Sequence, residues 1–334
     1  MSLKVLTTQY SEQESEKNIY LASRPSSAPS PKVSVVIPAY DIAPFIAESL
    51  ESVFGQTFQD FEIIVVNDGS PDTDELERAM EPFCQKIIYL KKPNGGAASA
   101  RNLGIKMARG ELVAFLDGDD IWLPEFLASQ IAFLETNNLD MVYADAQYFG
   151  EGIKDYLTYM QFSKSNGEVT TESLISWDCN VITSGTIVYR DKLIEAGTFD
   201  ESELWRRAQD FEMWFRLCKR GARIGYQRKV LLKYRFRTGS LSGTPIENTE
   251  RNINGLNGIK AKFELTPNEL TALERQLKIS QAMWQLEKGK AHILNGEFDA
   301  ARENFVAANR HYRKLKYSTV CLMLKLARAF YSAF

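Results

Sequence analysis

The chain has almost no histidine. Only two occur among its 334 residues, His292 and His311, and both lie near the C-terminus. Residues 1–291 therefore hold no imidazole for a Ser–His–Asp triad or for a zinc-bound water. Any chemistry in that part of the chain has to use carboxylates, hydroxyls and basic side chains.

Cysteine is also scarce. The four cysteines lie far apart and form no CxxC pair: Cys84, Cys179, Cys218 and Cys321. This spacing is not that of a zinc ribbon or a disulfide scaffold, and it favours a reducing compartment. We therefore expect the protein in the cytoplasm, with the inner face of the membrane as a further option that depends on the C-terminal helix described below.

Long apolar runs and a strong charge imbalance are missing as well. No run approaches the roughly 18 apolar residues of a membrane-spanning helix, and the polar residues 1–30 lack the apolar segment of a signal peptide. A net charge of -3 gives no reason to expect a nucleic-acid partner. The length and the 44% hydrophobic content suggest an ordinary globular protein of about two domains.

Segments of strand and helix character alternate from residue 32 onwards, after a Pro- and Ser-rich segment, 1–31, that we expect to be a flexible tail. In chain order they are KVSVVIPAY, APFIAESLESVFGQ, FEIIVVND, DTDELERAMEPF, KIIYL, AASARNLGIKMA, ELVAFLD and PEFLASQIAFLE. This alternation predicts an α/β fold with parallel βαβ units. Because the strands are apolar without interruption, the sheet should be covered by helices on both faces.

Polar residues follow the four predicted strands. In such sheets ligands bind beyond the carboxyl ends of the strands, which share one edge. We therefore expect Tyr40, Asp68, Asn94, Asp117 and Asp119 to lie close together although they are far apart in sequence.

Three acids cluster in VAFLDGDDIWLP, where Asp117, Asp119 and Asp120 surround one glycine. Asp and Gly are turn residues, so one interpretation is a solvated turn. The other is a site for Mg²⁺ or Mn²⁺ and the phosphates that such an ion carries, because these ions prefer hard oxygen ligands. The position at the end of a fourth parallel strand favours the metal site.

Two further residues at this edge have alternative roles. Asp68 fits a turn, and it also fits an acceptor for a base N–H or a ribose hydroxyl; both roles can hold at once. Arg101 lies in NGGAASARNLG, which places glycines before a helix as phosphate-binding loops do. The segment matches neither GxGxxG nor the Walker pattern, so Arg101 is either a surface residue or a ligand contact.

The second half of the chain is less regular. GTIVYR and KVLLKYRFR are predicted strands, DFEMWFRLCKRG is a predicted helix that stops at Gly221, and residues 266–334 are helical in character. The expected boundaries are a tail over 1–31, an α/β domain over 32–245 and a helical region over 246–334.

Six motifs in this order resemble those of family 2 glycosyltransferases. They are VSVVIPAYD, FEIIVVNDGSPDTDE, NGGAASARNLGI, GELVAFLDGDDIWLP, GTFDE and QDFEMWFRL, and they span about residues 32–240. The resemblance implies the GT-A architecture, a mainly parallel sheet flanked by helices, with a C-terminal helical extension here. It also implies a nucleotide-diphosphate sugar as donor, expected to be a UDP-sugar, and inversion of the anomeric centre.

The resemblance also assigns roles to residues. The expected nucleotide site consists of Pro38, Ala39, Tyr40, Asp68, Asn94, Arg101, Asp117, Gly118 and Asp119. Within it Asp68 would contact the base, Asp117 would face the ribose and diphosphate, and Asp119 would hold the Mn²⁺ or Mg²⁺ ion. Asp120 would support the turn.

Asp210 matches the catalytic base of the family. A carboxylate at that position also suits an N-cap of the following helix, and the two roles are compatible. The family usually has Glu before this Asp, where this chain has Gln209, which removes a charge near the base. Glu212 is the second candidate, expected on a solvated or packing face of the helix.

YRFRTGSLS, from Tyr234 to Ser242, resembles a family segment that usually reads Tyr-Arg-x-His. Arg237 takes the place of that histidine. If the histidine binds metal or diphosphate in relatives, Arg237 cannot ligate the cation, but it can pair with phosphate.

The last segment, 315–334, has one apolar helical face, and basic residues precede it. A basic amphipathic helix of this kind either lies in a membrane interface or docks on the enzyme or on a second subunit.

The leading hypothesis is an inverting, metal-dependent glycosyltransferase that acts on a glycan or lipid-linked acceptor in cell-surface polysaccharide, glycan or glycolipid synthesis. A nucleotidyltransferase would need a Gly-rich, basic loop after the first strand, where this chain has IPAYDIAPF. A non-catalytic scaffold is the third alternative, and the intact DxD and Asp210 oppose it. Donor choice would depend on residues such as Trp122, Tyr143 and Asp145, and acceptor choice on the region 150–205.

Overall fold

A computed structural model of the chain describes residues 20–22, 30–154, 156–237 and 244–312, with only the backbone described for 20–22. The chain forms two compact units, Met1–Thr238 and Gly239–Phe334. The boundary expected from the sequence, after residue 245, lies a few residues further on. Each unit is described separately below.

The first unit is built on one sheet of nine strands. They are β1 (Tyr20–Ala22), β2 (Val33–Ala39), β3 (Phe61–Asp68), β4 (Ile88–Lys92), β5 (Leu112–Phe115), β6 (Ile121–Trp122), β7 (Met141–Gly150), β8 (Thr186–Tyr189) and β9 (Ile224–Phe236), in the spatial order β1-β4-β3-β2-β5-β8-β7-β9-β6. The four strands predicted to share an edge, β4-β3-β2-β5, are mutually parallel. The predicted α/β class is therefore confirmed.

The helices of the first unit lie between these strands in sequence. They are Ile46–Phe54, Thr73–Met80, Gly96–Met107, Phe126–Thr136, Tyr159–Phe162, Thr171–Ile175, Arg190–Ala196 and Gln209–Lys219, with short 3₁₀ turns at Glu81–Phe83, Thr183–Gly185 and Glu203–Trp205. Each helix predicted between the first four strands is present at the expected place.

Helices cover both faces of the sheet, as the uninterrupted apolar strands predict. Successive residues of β2 point to opposite faces, so Val35 and Ile37 enter one hydrophobic core and Val36 enters the other. All three are fully buried. This two-sided burial explains why the strands lack the polar alternation of a half-exposed sheet.

Beyond β5 the sheet becomes mixed. β8 pairs antiparallel with β5 and β7, whereas β9 runs parallel to β7. The predicted strand KVLLKYRFR is the second part of the 13-residue strand β9. Arg235 lies near the far end of β9 and Arg237 comes directly after it, so both reach the edge where the candidate site lies.

The predicted tail 1–31 lies mostly outside the described residues. Its residues 20–22 form β1, which pairs antiparallel with β4 at one edge of the sheet.

The second unit consists of helices in its described part: Pro245–Lys262, Pro267–Leu294 and Phe298–His311. The first two begin with a Thr–Glu capping box followed by proline, at Thr244 and Thr266. The last two pack on each other, with Gly289 against the ring of Phe305. The predicted amphipathic segment 315–334 lies outside the described residues. Within the residues described, no helix is both long and apolar enough to cross a bilayer.

Candidate active site

The candidate site lies where β2 has β3 on one side and β5 on the other, the position at which α/β sheets bind ligands. Three loops meet there. The amide of Asp41, after β2, donates to Ser70 Oγ over 2.7 Å. A Cβ on Gly69, after β3, would lie 2.6 Å from the amide nitrogen of Asn94, after β4. The loops of the predicted nucleotide site are therefore packed against one another.

The residues predicted for the first loop differ in exposure. Pro38 and Ala39 are the last residues of β2, opposite Val66 and Asn67 of β3. Ala39 is buried, whereas the Tyr40 side chain is 49% exposed. Tyr40 is thus a large exposed aromatic ring at this edge. Asn94, in the loop after β4, is exposed as well.

The Asp68 carboxylate is turned towards the third loop. It is almost fully buried, it accepts hydrogen bonds from the amides of Gly95 (2.9 Å) and Gly96 (2.7 Å), and it pairs with Lys92. The helix Gly96–Met107 begins here, so Asp68 stabilises its positive end. This is a turn-supporting role, and the predicted contact between Asp68 and a base remains a prediction.

Arg101 joins two of the predicted acids. Its Nη2 donates to Asp117 Oδ1 over 2.7 Å and its Nη1 donates to Asp210 Oδ1 over 2.9 Å. The guanidinium is buried and lies over the Phe199 ring, 5.7 Å from its centroid. Burial opposes the charge of Arg101, but the carboxylates of Asp210 and Asp117 outweigh it and raise the pKa of the guanidinium. Arg101 is therefore a buried contact in the site.

Asp210 is held from two sides. Besides Arg101 it meets Thr183, whose Oγ1 donates to Asp210 Oδ2 over 2.7 Å. The helix begins at Gln209 with Ala208 as N-cap, so Asp210 lies within the first turn and makes no capping hydrogen bond. The N-cap prediction was wrong because the helix starts two residues earlier than an N-cap at Asp210 requires. About a third of the Asp210 side chain is exposed, so a ligand can reach it.

Glu212, the second candidate base, does not face this site. It is fully buried and pairs with Arg216, one helical turn further on, over 2.8 Å. That outcome matches the packing face expected for it.

The DGDD segment turns sharply at the end of β5. The Asp117 amide donates to Ser184 Oγ over 3.0 Å, and Ser49 Oγ donates to the carbonyl groups of Gly118 and Asp120. A Cβ on Gly118 would lie 2.2 Å from Ile42 Cδ1, so the backbone approaches the first loop closely. These bonds fix the directions of the acidic side chains.

Asp119 already has a cation beside it. Arg237 Nε donates to Asp119 Oδ2 over 3.0 Å, and Arg235 Nε donates to the Asp119 carbonyl over 2.7 Å. Burial raises the pKa of Asp119, and Asp117 raises it further, whereas Arg237 lowers it. The site therefore combines clustered carboxylates with protein cations.

Asp120 faces inward, as the support of the turn. It is buried, and its Oδ1 accepts from the Arg235 amide over 2.8 Å. Burial raises the pKa of Asp120 well above its ordinary value, and the charges of Asp119 and Asp117 add to the rise.

Comparison with known proteins identifies the family. Residues 34–198 match the profile of Glycosyl transferase family 2. The chain is 31% identical over 239 residues to UDP-Glc:alpha-D-GlcNAc-diphosphoundecaprenol beta-1,3-glucosyltransferase WfaP of Escherichia coli, a match that covers 70% of this chain and 89% of that protein. The chain belongs to glycosyltransferase family 2.

Solved structures agree on the fold. TarS of S. aureus in complex with UDP-GlcNAc matches with a TM-score of 0.54 at 20% identity, over 84% of this chain and 91% of that one. The mannosyltransferase PcManGT from Pyrobaculum calidifontis in complex with GDP-Man and Mn²⁺ matches with a TM-score of 0.57 at 19% identity, over 89% and 84%. The GT-A fold implied by the resemblance is confirmed.

The chain is shorter than some members of family 2. It is 32% and 35% identical to two uncharacterized glycosyltransferases of Rickettsia felis and Rickettsia bellii, and it spans only 41% and 36% of their length.

The acids of this candidate site could bind a divalent ion if the phosphates of a donor supply further ligands. In the described part of the chain, no three His, Cys, Asp or Glu side chains are arranged to hold a metal ion. Asp117 and Asp119 offer hard oxygens, and Mg²⁺ typically takes one or two carboxylates and completes its shell with phosphate and water. Asp117 and Asp119 are therefore ligands of the type that such an ion prefers. The phosphates of a bound donor and water would complete its coordination.

Several site residues carry no signal in the sequence. Thr183 and Ser184 reach the acids from a 3₁₀ turn just before β8, in a region without recognisable motifs. Arg235 lies in the segment that resembles Tyr-Arg-x-His, but its contacts with Asp119 and Asp120 are not evident from that resemblance. Only the sheet order, which brings β8 and β9 to this edge, reveals their roles.

The residues considered for donor choice lie in the interior. Trp122 is buried, stacks on Phe126 and donates from Nε1 to the Ser184 carbonyl over 2.7 Å. Tyr143 is buried against Tyr226. Trp122 therefore shapes the site through the Ser184 turn, and its side chain does not line an open pocket.

Proposed function

We propose that this site transfers a sugar from a nucleotide-diphosphate sugar to an acceptor hydroxyl, with inversion at the anomeric carbon. One observation supports this more than any other: the Arg101 guanidinium holds Asp117 and Asp210 together at the ligand-binding edge. Asp117 follows β5 and Asp210 lies in a helix nearly a hundred residues later. Arg101 therefore links Asp117, the acid proposed to face the diphosphate, to Asp210, the acid proposed to act as the base.

In the proposed reaction Asp210 acts as the base. The acceptor oxygen forms a bond to the anomeric carbon while the bond from that carbon to the diphosphate oxygen breaks, and the electron pair leaves with the nucleoside diphosphate. Asp210 takes the proton of the acceptor hydroxyl. Because Arg101 and Thr183 hold one carboxylate oxygen each, the carboxylate is oriented before substrate arrives.

The leaving group gathers negative charge, and the site needs positive charge to stabilise it. A divalent ion bound by Asp117, Asp119 and the diphosphate would supply Lewis-acid stabilisation there. Arg101 and Arg237 are the protein cations beside the same acids. The Mn²⁺ in the PcManGT complex supports a metal in this site.

The donor is proposed to be a UDP-sugar. The name of WfaP specifies UDP-Glc, and TarS is in complex with UDP-GlcNAc, whereas PcManGT is in complex with GDP-Man. The base therefore has to be measured. A thermal-shift panel of nucleoside diphosphates and their sugars with Mn²⁺ should show the largest rise in melting temperature for the UDP series, and a larger rise with another base would replace that assignment.

The acceptor is proposed to be a glycan or a lipid-linked glycan, in line with the diphosphoundecaprenol acceptor that the name of WfaP gives. Exposed aromatic rings at Tyr156 and Phe162 lie in the segment that precedes and forms the short helix Tyr159–Phe162. The half-buried Tyr159 of this helix packs beside the rings of Tyr148 and Tyr234. Burial raises the pKa of Tyr159, and the charge of Asp210 raises it further. We propose this segment as the acceptor side, because sugar rings stack on exposed aromatic faces.

The base assignment is tested with Asp210→Asn. This change keeps the shape and the Thr183 hydrogen bond but removes the proton acceptor, so we expect the rate of nucleoside diphosphate release from the preferred donor and acceptor to fall by about a hundredfold or more. Donor binding should change by less than about threefold, because Asp210 contacts the acceptor hydroxyl.

Asp191→Asn is the matched control, since Asp191 is exposed and accepts from the Lys192 amide. It should transfer at the wild-type rate. Transfer that survives Asp210→Asn would rule out Asp210 as the base.

A further inference from the structure

Asp119, the residue proposed to hold the metal, is paired with a side chain. Arg237 Nε lies 3.0 Å from Asp119 Oδ2, and both side chains are about four-fifths buried. The guanidinium also lies over the Phe45 ring, 5.4 Å from its centroid. A divalent ion at Asp119 therefore has to share that carboxylate with a cation of the protein.

The position of Arg237 follows from β9. Arg237 comes directly after Phe236, the last residue of the strand, and Arg235 lies two residues before it. Both arginines contact Asp119, since Arg235 donates to its carbonyl and Arg237 donates to its carboxylate. Arg235 makes several contacts within the protein. It pairs with Glu48, donates to the Asp119 carbonyl and lies over the rings of Phe45 and Phe149. Arg237 is the member of the pair whose charge is directed at the Asp119 side chain.

A guanidinium can do part of what a metal ion does for a diphosphate. It offers parallel N–H donors that match phosphate oxygens, and it keeps its charge at all physiological pH values. It cannot coordinate the metal. Beside Asp119 it lowers the net negative charge that repels a diphosphate when no divalent ion is present.

We infer that Arg237 is a resident cation of the diphosphate site. In the free protein it neutralises Asp119, and when the donor binds it pairs with the diphosphate, so that nucleoside diphosphates bind to this protein even without a divalent ion. This inference rests on the proposed function, since it assumes that a nucleotide diphosphate enters this edge.

The test is calorimetric titration of the full chain with UDP, GDP, CDP and dTDP, each in EDTA and each with Mn²⁺. For the nucleotide that binds best, we expect wild-type affinity in EDTA to stay within about tenfold of the affinity with Mn²⁺. Arg237→Gln should weaken binding in EDTA by about tenfold or more, because it removes a charge-assisted phosphate contact. With Mn²⁺ the same variant should lose less than about threefold.

Two further variants keep the test independent of any folding defect. Arg223→Gln makes the same chemical change just before the opposite end of β9, where the side chain is half-exposed, and it should leave both affinities unchanged. Arg237→His should restore metal preference: Mn²⁺ binding in the presence of the nucleotide, followed by electron paramagnetic resonance, should tighten by about tenfold while EDTA binding weakens.

The outcomes separate the inference from the proposed function. Wild-type binding that requires Mn²⁺, or EDTA binding that is unchanged in Arg237→Gln, overturns the role of Arg237 while leaving a nucleotide site in place. If no nucleoside diphosphate binds even with Mn²⁺, the proposed function fails as well. Loss in EDTA that is confined to the Arg237 variants supports the inference.

Discussion

At the scale of single residues, one buried arginine organises the candidate site. Arg101 is only 3% exposed, yet it carries a full charge, which is costly to bury unless it is paired. Its ion pairs with Asp117 and Asp210 offset the desolvation of the guanidinium and hold the two acids close together. Surface arginines bring no such constraint, so this pairing is specific to the site.

We predict that Arg101→Met destabilises the protein by roughly 2 kcal/mol in urea unfolding, because it leaves two partly buried carboxylates, Asp117 and Asp210, without their shared cation. Arg101→Lys should keep much of the stability, since the charge remains. A single ammonium cannot bridge both acids in the same fork, so transfer should still fall by about a hundredfold.

Arg109→Lys is the control for that substitution. Arg109 pairs with Glu62 over 3.2 Å and lies outside the site, so this variant should transfer normally. Wild-type rates in Arg101→Lys would show that the fork between Asp117 and Asp210 is not needed.

The positions of site residues could be predicted from the sequence where a motif and a strand end coincide. Asp117 and Asp119 are of this kind, because both the spacing and the end of β5 indicate their position. The partners of Asp119 and Asp210 could not be predicted, since Arg237 and Thr183 are more than 25 residues away in sequence from the acids they contact. Their proximity arises only when β8 and β9 join the sheet.

At the scale of elements, the alternation of strands and helices decides the fold. Buried β-branched runs and the helices between them are local features, so the four parallel strands could be read from the sequence. The mixed part of the sheet could not, because the positions of β7, β8 and β9 depend on long-range pairing. The N-cap predicted at Asp210 was wrong for a related reason: the Asp210 carboxylate binds Arg101 and Thr183, which are distant in sequence, and the N-cap is Ala208.

The helix that carries Arg101 lies close to the sheet. A Cβ on Gly104 would be 2.3 Å from Val36 Cγ1 of β2. We predict that Gly104→Ala lowers the free energy of unfolding by about 1–3 kcal/mol, although alanine is intrinsically the better helix former by about 1 kcal/mol. Urea unfolding of the purified variant measures this.

A double-mutant cycle identifies the cause. Val36→Ala removes the clashing methyl group, so Gly104→Ala should cost much less in that background than in the wild type. Equal costs in both backgrounds would mean that close packing of this helix on β2 is not the reason for the glycine.

At the scale of the whole molecule, the candidate site belongs to one of two units. Every predicted site residue lies within Met1–Thr238, and the described part of Gly239–Phe334 is helical. The sequence suggests attachment through the segment 315–334, whose structure lies outside the described residues.

We predict that deletion of 315–334 abolishes co-flotation with liposomes that contain anionic lipid. The reason is that the apolar face and the preceding basic residues are the features that favour a membrane interface. Nucleoside diphosphate binding should stay within about threefold of wild type, because the site residues are intact. Flotation that is unchanged by the deletion would assign this segment to a protein contact.

The proposal that this edge of the sheet is a nucleotide-diphosphate site is tested most directly by calorimetric titration of the intact protein with UDP, GDP, CDP and dTDP in the presence of Mn²⁺. We predict that one of them, expected to be UDP, binds one equivalent, and that Asp117→Asn weakens this binding by about tenfold. Absence of binding for all four nucleotides, or affinity unchanged in Asp117→Asn, would contradict the proposal.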